Sequence, residues 1–124
     1  MRRILIIDDD DDVREVAALA LEAVGGVDVV SASSGAEGIE LAEAERPDAI
    51  LLDVMMPGMD GPATFRVLRG RDETRMLPVV LLTAKAQRDD RRRFEALGVD
   101  AVLTKPFDPM RLADDVSAAL GWTS

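Results

Sequence analysis

Five short apolar runs divide the chain and constrain its fold more than any other feature. Most of these runs are continuous rather than alternating, as expected for strands that are covered on both faces of a parallel sheet. They are Ile4 to Ile7, Val27 to Val30 (interrupted by Asp28), Ala49 to Leu52, Val79 to Leu82, and Ala101 to Leu103. We therefore expect a parallel sheet with helices on both sides.

Helical patterns separate these runs. In the first, apolar residues recur at positions i, i+3, i+4, i+7, i+8 and i+11 from Val13 to Val24, and Gly25-Gly26 supplies a stop. Gly38 lies inside the second helix, where it is expected to cost about 1 kcal/mol relative to alanine. Weaker patterns predict the three middle helices over residues 35–45, 61–69 and 87–97.

The last helix has its own start signals. Asp108 is expected as its N-cap and Pro109 as its first residue, before an apolar stripe that ends at Leu120. Strands that alternate with helices predict right-handed crossovers and a doubly wound α/β sheet. The length of 124 residues fits one domain, so we expect a single domain over residues 1–124 with no output domain.

The chain contains no cysteine and no histidine. Disulfide scaffolds, thiolate metal sites, cysteine nucleophiles and imidazole-based catalysis are therefore excluded. Any chemistry must use carboxylates, hydroxyls, lysine or arginine.

The net charge of −9 limits which kinds of ligand and partner the chain can bind. Direct nucleic-acid binding needs clustered positive charge, so cations are the more natural ligands of this chain. The apolar run after Met1-Arg2-Arg3 is too short for a signal sequence, and no run is long enough to span a membrane. We expect a cytoplasmic protein with no membrane contact.

Polar side chains stand where the predicted strands end. They are Asp8-Asp9, Asp53, Thr83 and Thr104-Lys105. Because ligands of doubly wound sheets bind beyond the carboxyl ends of the strands, these side chains are expected to converge on one edge.

The carboxylates after the first strand differ in their expected roles. Asp8 and Asp9 directly follow a buried strand, where ionised groups are costly unless they are paired or bind a metal. Asp9 is expected to bind Mg²⁺, and Asp8 to act directly or through water. The three residues Asp10 to Asp12 fit a solvated turn that suits the positive N-terminal end of the first helix.

The other residues at this edge each have an ordinary explanation when taken alone, but together they fit phosphoryl transfer. Asp53 supplies a nucleophilic carboxylate, and a divalent cation relieves its repulsion from an incoming phosphoryl group. Lys105 neutralises one phosphoryl oxygen and Thr83 donates a hydrogen bond to another. The product would be an aspartyl phosphate that reorganises the surrounding loops.

Four motifs, in order, resemble those of the response-regulator receiver domains of two-component signalling, in particular the single-domain, chemotaxis-regulator-like members. The resemblance covers essentially the whole chain. The motifs are Ile4-Leu5-Ile6-Ile7-Asp8-Asp9-Asp10, Leu51-Leu52-Asp53 through Gly61, Pro78-Val79-Val80-Leu81-Leu82-Thr83-Ala84, and Leu103-Thr104-Lys105-Pro106-Phe107.

The resemblance implies a flavodoxin-like (βα)5 fold with strand order 2-1-3-4-5. It implies that Asp53 is phosphorylated by a histidine kinase or phosphotransfer protein, and that the chain also catalyses its own phosphorylation and dephosphorylation. It further implies that Thr83 and the Ala84 amide contact the phosphoryl oxygens and that the Lys105-Pro106 bond is cis. The implied Mg²⁺ ligands are Asp8, Asp9, Asp53 and the backbone carbonyl of Met55.

The resemblance also implies that a downstream protein binds the face formed by the fourth helix, fifth strand and fifth helix. A basic cluster on the fourth helix either serves this surface or is an ordinary solvated face: Arg88, Arg91, Arg92 and Arg93. Val102 departs from the aromatic residue usual at its position, so we expect it to contribute little to switching. Met55 and Lys85 occupy positions that vary in the family and tune the access of water to the phosphoryl group.

Two other function classes remain as alternatives. A phosphorylation-independent binding module would use the same fold without the chemistry. A haloacid dehalogenase-type phosphatase would use Asp9 as its nucleophile, because Asp9 to Val13 formally matches an Asp-x-Asp-x-Val motif. A calcium-binding loop starting at Asp8 does not fit, since its required glycine and glutamate positions hold Val13 and Leu19.

Overall fold

The computed structural model describes residues 2–84 and 88–122, without the side chains of Arg88 and Asp89. The strands are β1 (Arg3–Ile7), β2 (Asp28–Ala32), β3 (Ala49–Asp53), β4 (Val79–Thr83) and β5 (Ala101–Thr104). The helices are α1 (Asp11–Ala23), α2 (Gly35–Glu45), α3 (Gly61–Gly70), α4 (Arg88–Glu95) and α5 (Leu112–Leu120). The predicted alternation of strands and helices is confirmed.

The strands form one parallel sheet in the order β2-β1-β3-β4-β5. In its register, Ile4 pairs with Ala49, Ile50 with Val79, and Thr83 with Thr104. The predicted flavodoxin-like topology is therefore confirmed. All the strands point the same way, so their carboxyl ends share one edge of the sheet.

Two apolar clusters cover the two faces of the sheet, which explains the continuous apolar runs. Leu5 and Ile7 pack with residues of α2, α3 and α4, whereas Ile4 and Ile6 pack with residues of α1 and α5. Successive strand residues point to opposite faces, so every position must be apolar when both faces are buried.

Helix α1 begins as its acidic run predicts. Asp10 is the N-cap, and its carboxylate accepts hydrogen bonds from the backbone N–H groups of Asp12 and Val13. The apolar stripe of this helix is wider than the buried face, however. Val16 and Val24 are 43% and 44% exposed, because the sheet and α5 cover only the central part of the stripe.

Gly38 has a packing reason that the sequence did not reveal. A Cβ atom at this position of α2 would lie 2.3 Å from Cδ1 of Ile7. The missing side chain therefore lets α2 approach β1 closely, which offsets the low helix propensity of glycine.

The predicted start of the last helix is wrong: α5 begins at Leu112, with Arg111 at the N-cap position. The Asp108 carboxylate instead accepts from the Met110 N–H, and its carbonyl accepts from the Arg111 N–H. These bonds close a separate turn that competes with helix formation at Asp108.

Helix α4 is shorter than predicted, since it ends at Glu95 rather than Leu97. The N–H groups of Leu97 and Gly98 bond to carbonyls three residues back, so the chain tightens before Gly98, whose φ is +98°. The predicted first residue, Gln87, lies outside the described residues.

Candidate functional site

The predicted convergence at the carboxyl edge is confirmed. Asp8 follows β1, Asp53 ends β3, Thr83 ends β4 and Lys105 follows β5. The Lys105 N–H donates to the Thr83 carbonyl at 2.8 Å, which fixes the chain where it leaves β5. The Lys105-Pro106 bond is cis, as the resemblance implied.

Lys105 joins two of the carboxylates. Its Nζ lies 2.7 Å from Asp8 Oδ2 and 2.9 Å from Asp53 Oδ1. Asp8 is fully buried and Asp53 is 5% exposed, so both carboxylates lie in a region where ionised groups need partners. The lysine supplies one such partner to both residues.

Asp9 completes a three-carboxylate cluster. One oxygen each of Asp8, Asp9 and Asp53 lies within 4.8 Å of the others. Asp9 is exposed, so the cluster has two buried members and one at its mouth. Carboxylate oxygens are the donors that Mg²⁺ prefers, and this open acidic cluster fits that ion.

The electrostatics of Asp53 reflect this crowding. Burial raises the pKa of its carboxyl above the ordinary value; the Lys105 hydrogen bond opposes that shift and the charge of Asp8 adds to it. For Lys105, burial alone would lower the pKa, but the hydrogen bonds and the negative charges of Asp8 and Asp53 together outweigh burial and raise it. Extra positive charge at this cluster would therefore favour ionised Asp53.

The loop after Asp53 is held against the strand end by Gly61. A Cβ atom on Gly61 would lie 2.5 Å from the Asp53 carbonyl oxygen, so this approach requires glycine. The Gly61 N–H donates to the Val54 carbonyl at 2.9 Å, and Asp60 caps α3 by accepting from Ala63. Within this loop, Met55 is 65% exposed.

Thr83 and Ala84 lie on the neighbouring strand end. Thr83 is buried at the end of β4, and Ala84 is exposed directly after it. Lys85, which was predicted to tune water access, lies outside the described residues.

An open apolar pocket of about 400 Å³ adjoins the cluster, with Lys105 and Ala84 in its wall. Val16 and Phe107 also line it, and sequence reasoning missed both in this role. The available signal for Val16 was its place in an apolar α1 stripe that is wider than the buried face of the helix.

The basic cluster on α4 is not a uniform surface. Arg91 Nη2 donates to the Val102 carbonyl at 3.1 Å, so this side chain reaches toward β5. Arg93 pairs with Asp90 and lies over the Phe94 ring, whereas Arg92 is exposed. Val102 itself is buried in the same apolar cluster as Phe94.

This fold and site define a class of doubly wound α/β domain with an acidic, lysine-bridged site at its carboxyl edge. Consistent with that class, the profile of the response regulator receiver domain matches residues 4–117. The chain belongs to the family of response regulator receiver domains.

Individual relatives agree with this assignment. The chain is 39% identical over 119 residues to the alkaline phosphatase synthesis transcriptional regulatory protein PhoP of Bacillus subtilis, covering 96% of this chain and 48% of that protein. It thus spans about half the length of the curated relatives that it matches.

Solved structures are similar over nearly their full lengths. The chemotaxis response regulator CheY4 of Vibrio cholerae has a TM-score of 0.89 at 28% identity, with 97% of this chain and 99% of that chain covered. The signal receiver domain of a signal transduction histidine kinase from Syntrophus aciditrophicus has a TM-score of 0.84 at 35% identity, with 98% and 91% covered. Across residues 2–84 and 88–122, no helix is long and apolar enough to cross a membrane.

Proposed function

We propose that this domain is a signalling switch that accepts a phosphoryl group on Asp53. One observation carries the proposal: Lys105 bridges buried Asp8 and Asp53 within a three-carboxylate cluster at the carboxyl edge of the sheet. A purely structural ion pair would not require two carboxylates for one lysine and a third beside them.

Asp8, Asp9 and Asp53, together with the Met55 backbone carbonyl, are the residues that we assign to Mg²⁺. When bound, this ion supplies charge neutralisation between the Asp53 carboxylate and the phosphoryl oxygens. The family membership and the donor set support this assignment.

Residues of this chain would carry out the attack on phosphorus and contact the phosphoryl oxygens. A carboxylate oxygen of Asp53 forms the new bond to phosphorus as the bond to the donor breaks, and the leaving atom keeps the bonding pair. Lys105, already 2.9 Å from Asp53, would turn a donor toward the phosphoryl oxygens. The Thr83 hydroxyl and the Ala84 N–H would donate to the remaining oxygens.

The donor that we assign is a phosphohistidine on a histidine kinase or phosphotransfer protein. These 124 residues contain no histidine, so the donor group must lie elsewhere. Breakage of its P–N bond would leave an imidazole that takes up a proton. We assign the domain to the cytoplasm, as a single domain whose own residues catalyse its phosphorylation from small donors and its dephosphorylation.

The output that we assign is a protein target on the face formed by α4, β5 and α5, without direct nucleic-acid contact. The hydrogen bond from Arg91 to Val102 links α4 with β5 on this face. Displacement of α4 would therefore also affect β5.

Intact-mass measurement after incubation with acetyl phosphate and Mg²⁺ tests the proposal. We expect one added phosphoryl group on the wild type and on Asp12→Ala, whose exposed carboxylate lies outside the cluster. Asp53→Ala should remain unlabelled.

Two outcomes would select another function. A wild-type protein that stays unlabelled would favour a phosphorylation-independent binding module. Labelling that moves to Asp9, with turnover of a phosphomonoester, would favour the phosphatase alternative.

A further inference from the structure

Arg14, on the first turns of α1, reaches back to the end of β1. Its Nη1 donates to the backbone carbonyl of Asp8 at 2.7 Å, and its Nη2 pairs with the Asp11 carboxylate. The Arg14 side chain is only 18% exposed, whereas that of Asp11 is 88% exposed. An ion pair with so exposed a partner contributes little, so the bond to Asp8 is the significant contact.

The Asp8 carbonyl lies just beyond the strand ladder. The pairing of β1 with β2 ends at Ile7 and Ala32, although the Asp8 N–H still donates to the Ala32 carbonyl. The Asp8 carbonyl belongs to the peptide that joins Asp8 to Asp9. Arg14 therefore fixes the orientation of the Asp8-Asp9 peptide, and this orientation sets the direction of the Asp9 side chain.

The two acidic residues are anchored very differently. The Asp8 carboxylate accepts from Lys105 at 2.7 Å and from the Asp10 N–H at 3.0 Å. Asp9 stands exposed at the mouth of the cluster. The position of the Asp9 carboxylate thus depends on the Asp8-Asp9 backbone, and Arg14 fixes that backbone through the Asp8 carbonyl.

We propose that Arg14 is a positioning residue for the cation site, orienting Asp9 through the Asp8-Asp9 peptide. This inference rests on the proposed Mg²⁺ role of the cluster. Residues that orient metal ligands typically change metal affinity by 10- to 100-fold when they are replaced.

The sign of the effect separates positioning from simple electrostatics. Arg14 is a cation near a cation site, so its charge alone opposes Mg²⁺ binding, and loss of that charge should strengthen binding. Loss of positioning should weaken it instead. The two effects have opposite directions, and a single affinity measurement distinguishes them.

The experiment is calorimetric titration of MgCl₂ into wild type, Arg14→Met, Arg14→Lys and Asp11→Asn, with unfolding of each variant measured without Mg²⁺. We expect Arg14→Met to raise the Kd for Mg²⁺ by about tenfold. Arg14→Lys, which keeps a charged donor, should restore most of the affinity. Asp11→Asn should bind nearly like the wild type, because it leaves the bond to the Asp8 carbonyl in place and removes only a charge that is 88% exposed and screened by solvent.

Other outcomes overturn the inference. Unchanged or tighter Mg²⁺ binding by Arg14→Met would eliminate the positioning role while leaving the proposed function intact. If Arg14→Met does not fold, Arg14→Gln replaces it, since its side chain is too short for the same contact, and the same criteria apply. Failure of the wild type to bind Mg²⁺ would overturn the proposed function itself.

Discussion

The Lys105 ammonium lies 2.9 Å from the Asp53 carboxylate, although 52 positions separate the two residues in the sequence. The same nitrogen lies 2.7 Å from Asp8, at the end of another strand. One lysine thus ties together the ends of β1, β3 and β5.

Lys105→Met should destabilise the Mg²⁺-free protein. It removes the cation shared by Asp8 and Asp53, and the loss of one partner from a buried ion pair costs about 3 kcal/mol. Urea unfolding at pH 7 measures the loss. The double variant Lys105→Met/Asp53→Asn should recover part of it, and an additive double variant would show that the two side chains are not coupled.

Asp53→Asn should stabilise the Mg²⁺-free protein at neutral pH. Because the pKa of Asp53 is raised in the folded state, the folded protein binds this proton more tightly, and stability falls as the pH rises through the folded pKa. Asp53→Asn cannot ionise, so it avoids this fall in stability. Its advantage over the wild type should disappear below about pH 4, where both folded and unfolded carboxyls are protonated.

Denaturant unfolding between pH 3 and pH 8 would follow this difference between the two proteins. A gap between variant and wild type that does not change with pH would contradict the raised pKa of Asp53.

Mg²⁺ should stabilise the folded protein selectively. At ten times the Kd the expected gain is about 1.4 kcal/mol, and melting curves with and without the ion would measure it. Asp9→Ala should lose most of this response, because it removes one member of the carboxylate cluster. Asp12→Ala is the matched control. An equal loss of Mg²⁺-dependent stabilisation in that variant would mean that the response reflects general surface charge rather than the carboxylate cluster.

Gly38→Ala should destabilise the fold despite the better helix propensity of alanine. Alanine gains about 1 kcal/mol of propensity, but overpacking costs about 1 to 3 kcal/mol, and the new Cβ would lie 2.3 Å from Ile7 Cδ1. Adding Ile7→Val deletes that methyl group and should recover only part of the stability, because the Ile7 Cγ1 position, which valine keeps, lies 2.7 Å from the new Cβ. Gly70→Ala, where a Cβ meets nothing within 4 Å, is the control and should not destabilise.

Binding of beryllofluoride, a phosphoryl mimic, should change the amide exchange of α4 and its connection to β5. Arg91 joins α4 to the Val102 carbonyl, so displacement of the helix must break or move this bond. Hydrogen exchange of the free and bound protein would locate the change. If the largest changes in hydrogen exchange lay in α1 and α2 and the exchange of α4 did not change, the proposed output face would be wrong.

The sequence alone determined the sheet, the order of elements and the residues at its carboxyl edge. Continuous apolar runs require strands buried on both faces, and parallel strands bring the polar residues after Ile7, Leu52, Leu82 and Thr104 to one side. The strand order came from the resemblance of the motifs. The start of α5 could not be read correctly, because Asp108 satisfies local hydrogen bonds equally well in a separate turn.

Only the tertiary structure decided which residue contacts which. Gly38 is needed because its helix packs closely on β1, and Gly61 is needed because it approaches the Asp53 backbone. The role of Arg14 depends on its hydrogen bond to the Asp8 carbonyl, six residues earlier. The α1 stripe likewise did not reveal that Val16 would line a pocket beside Lys105. A local pattern records the preference of a chain segment for a helix or strand, whereas close approaches depend on how separate segments pack.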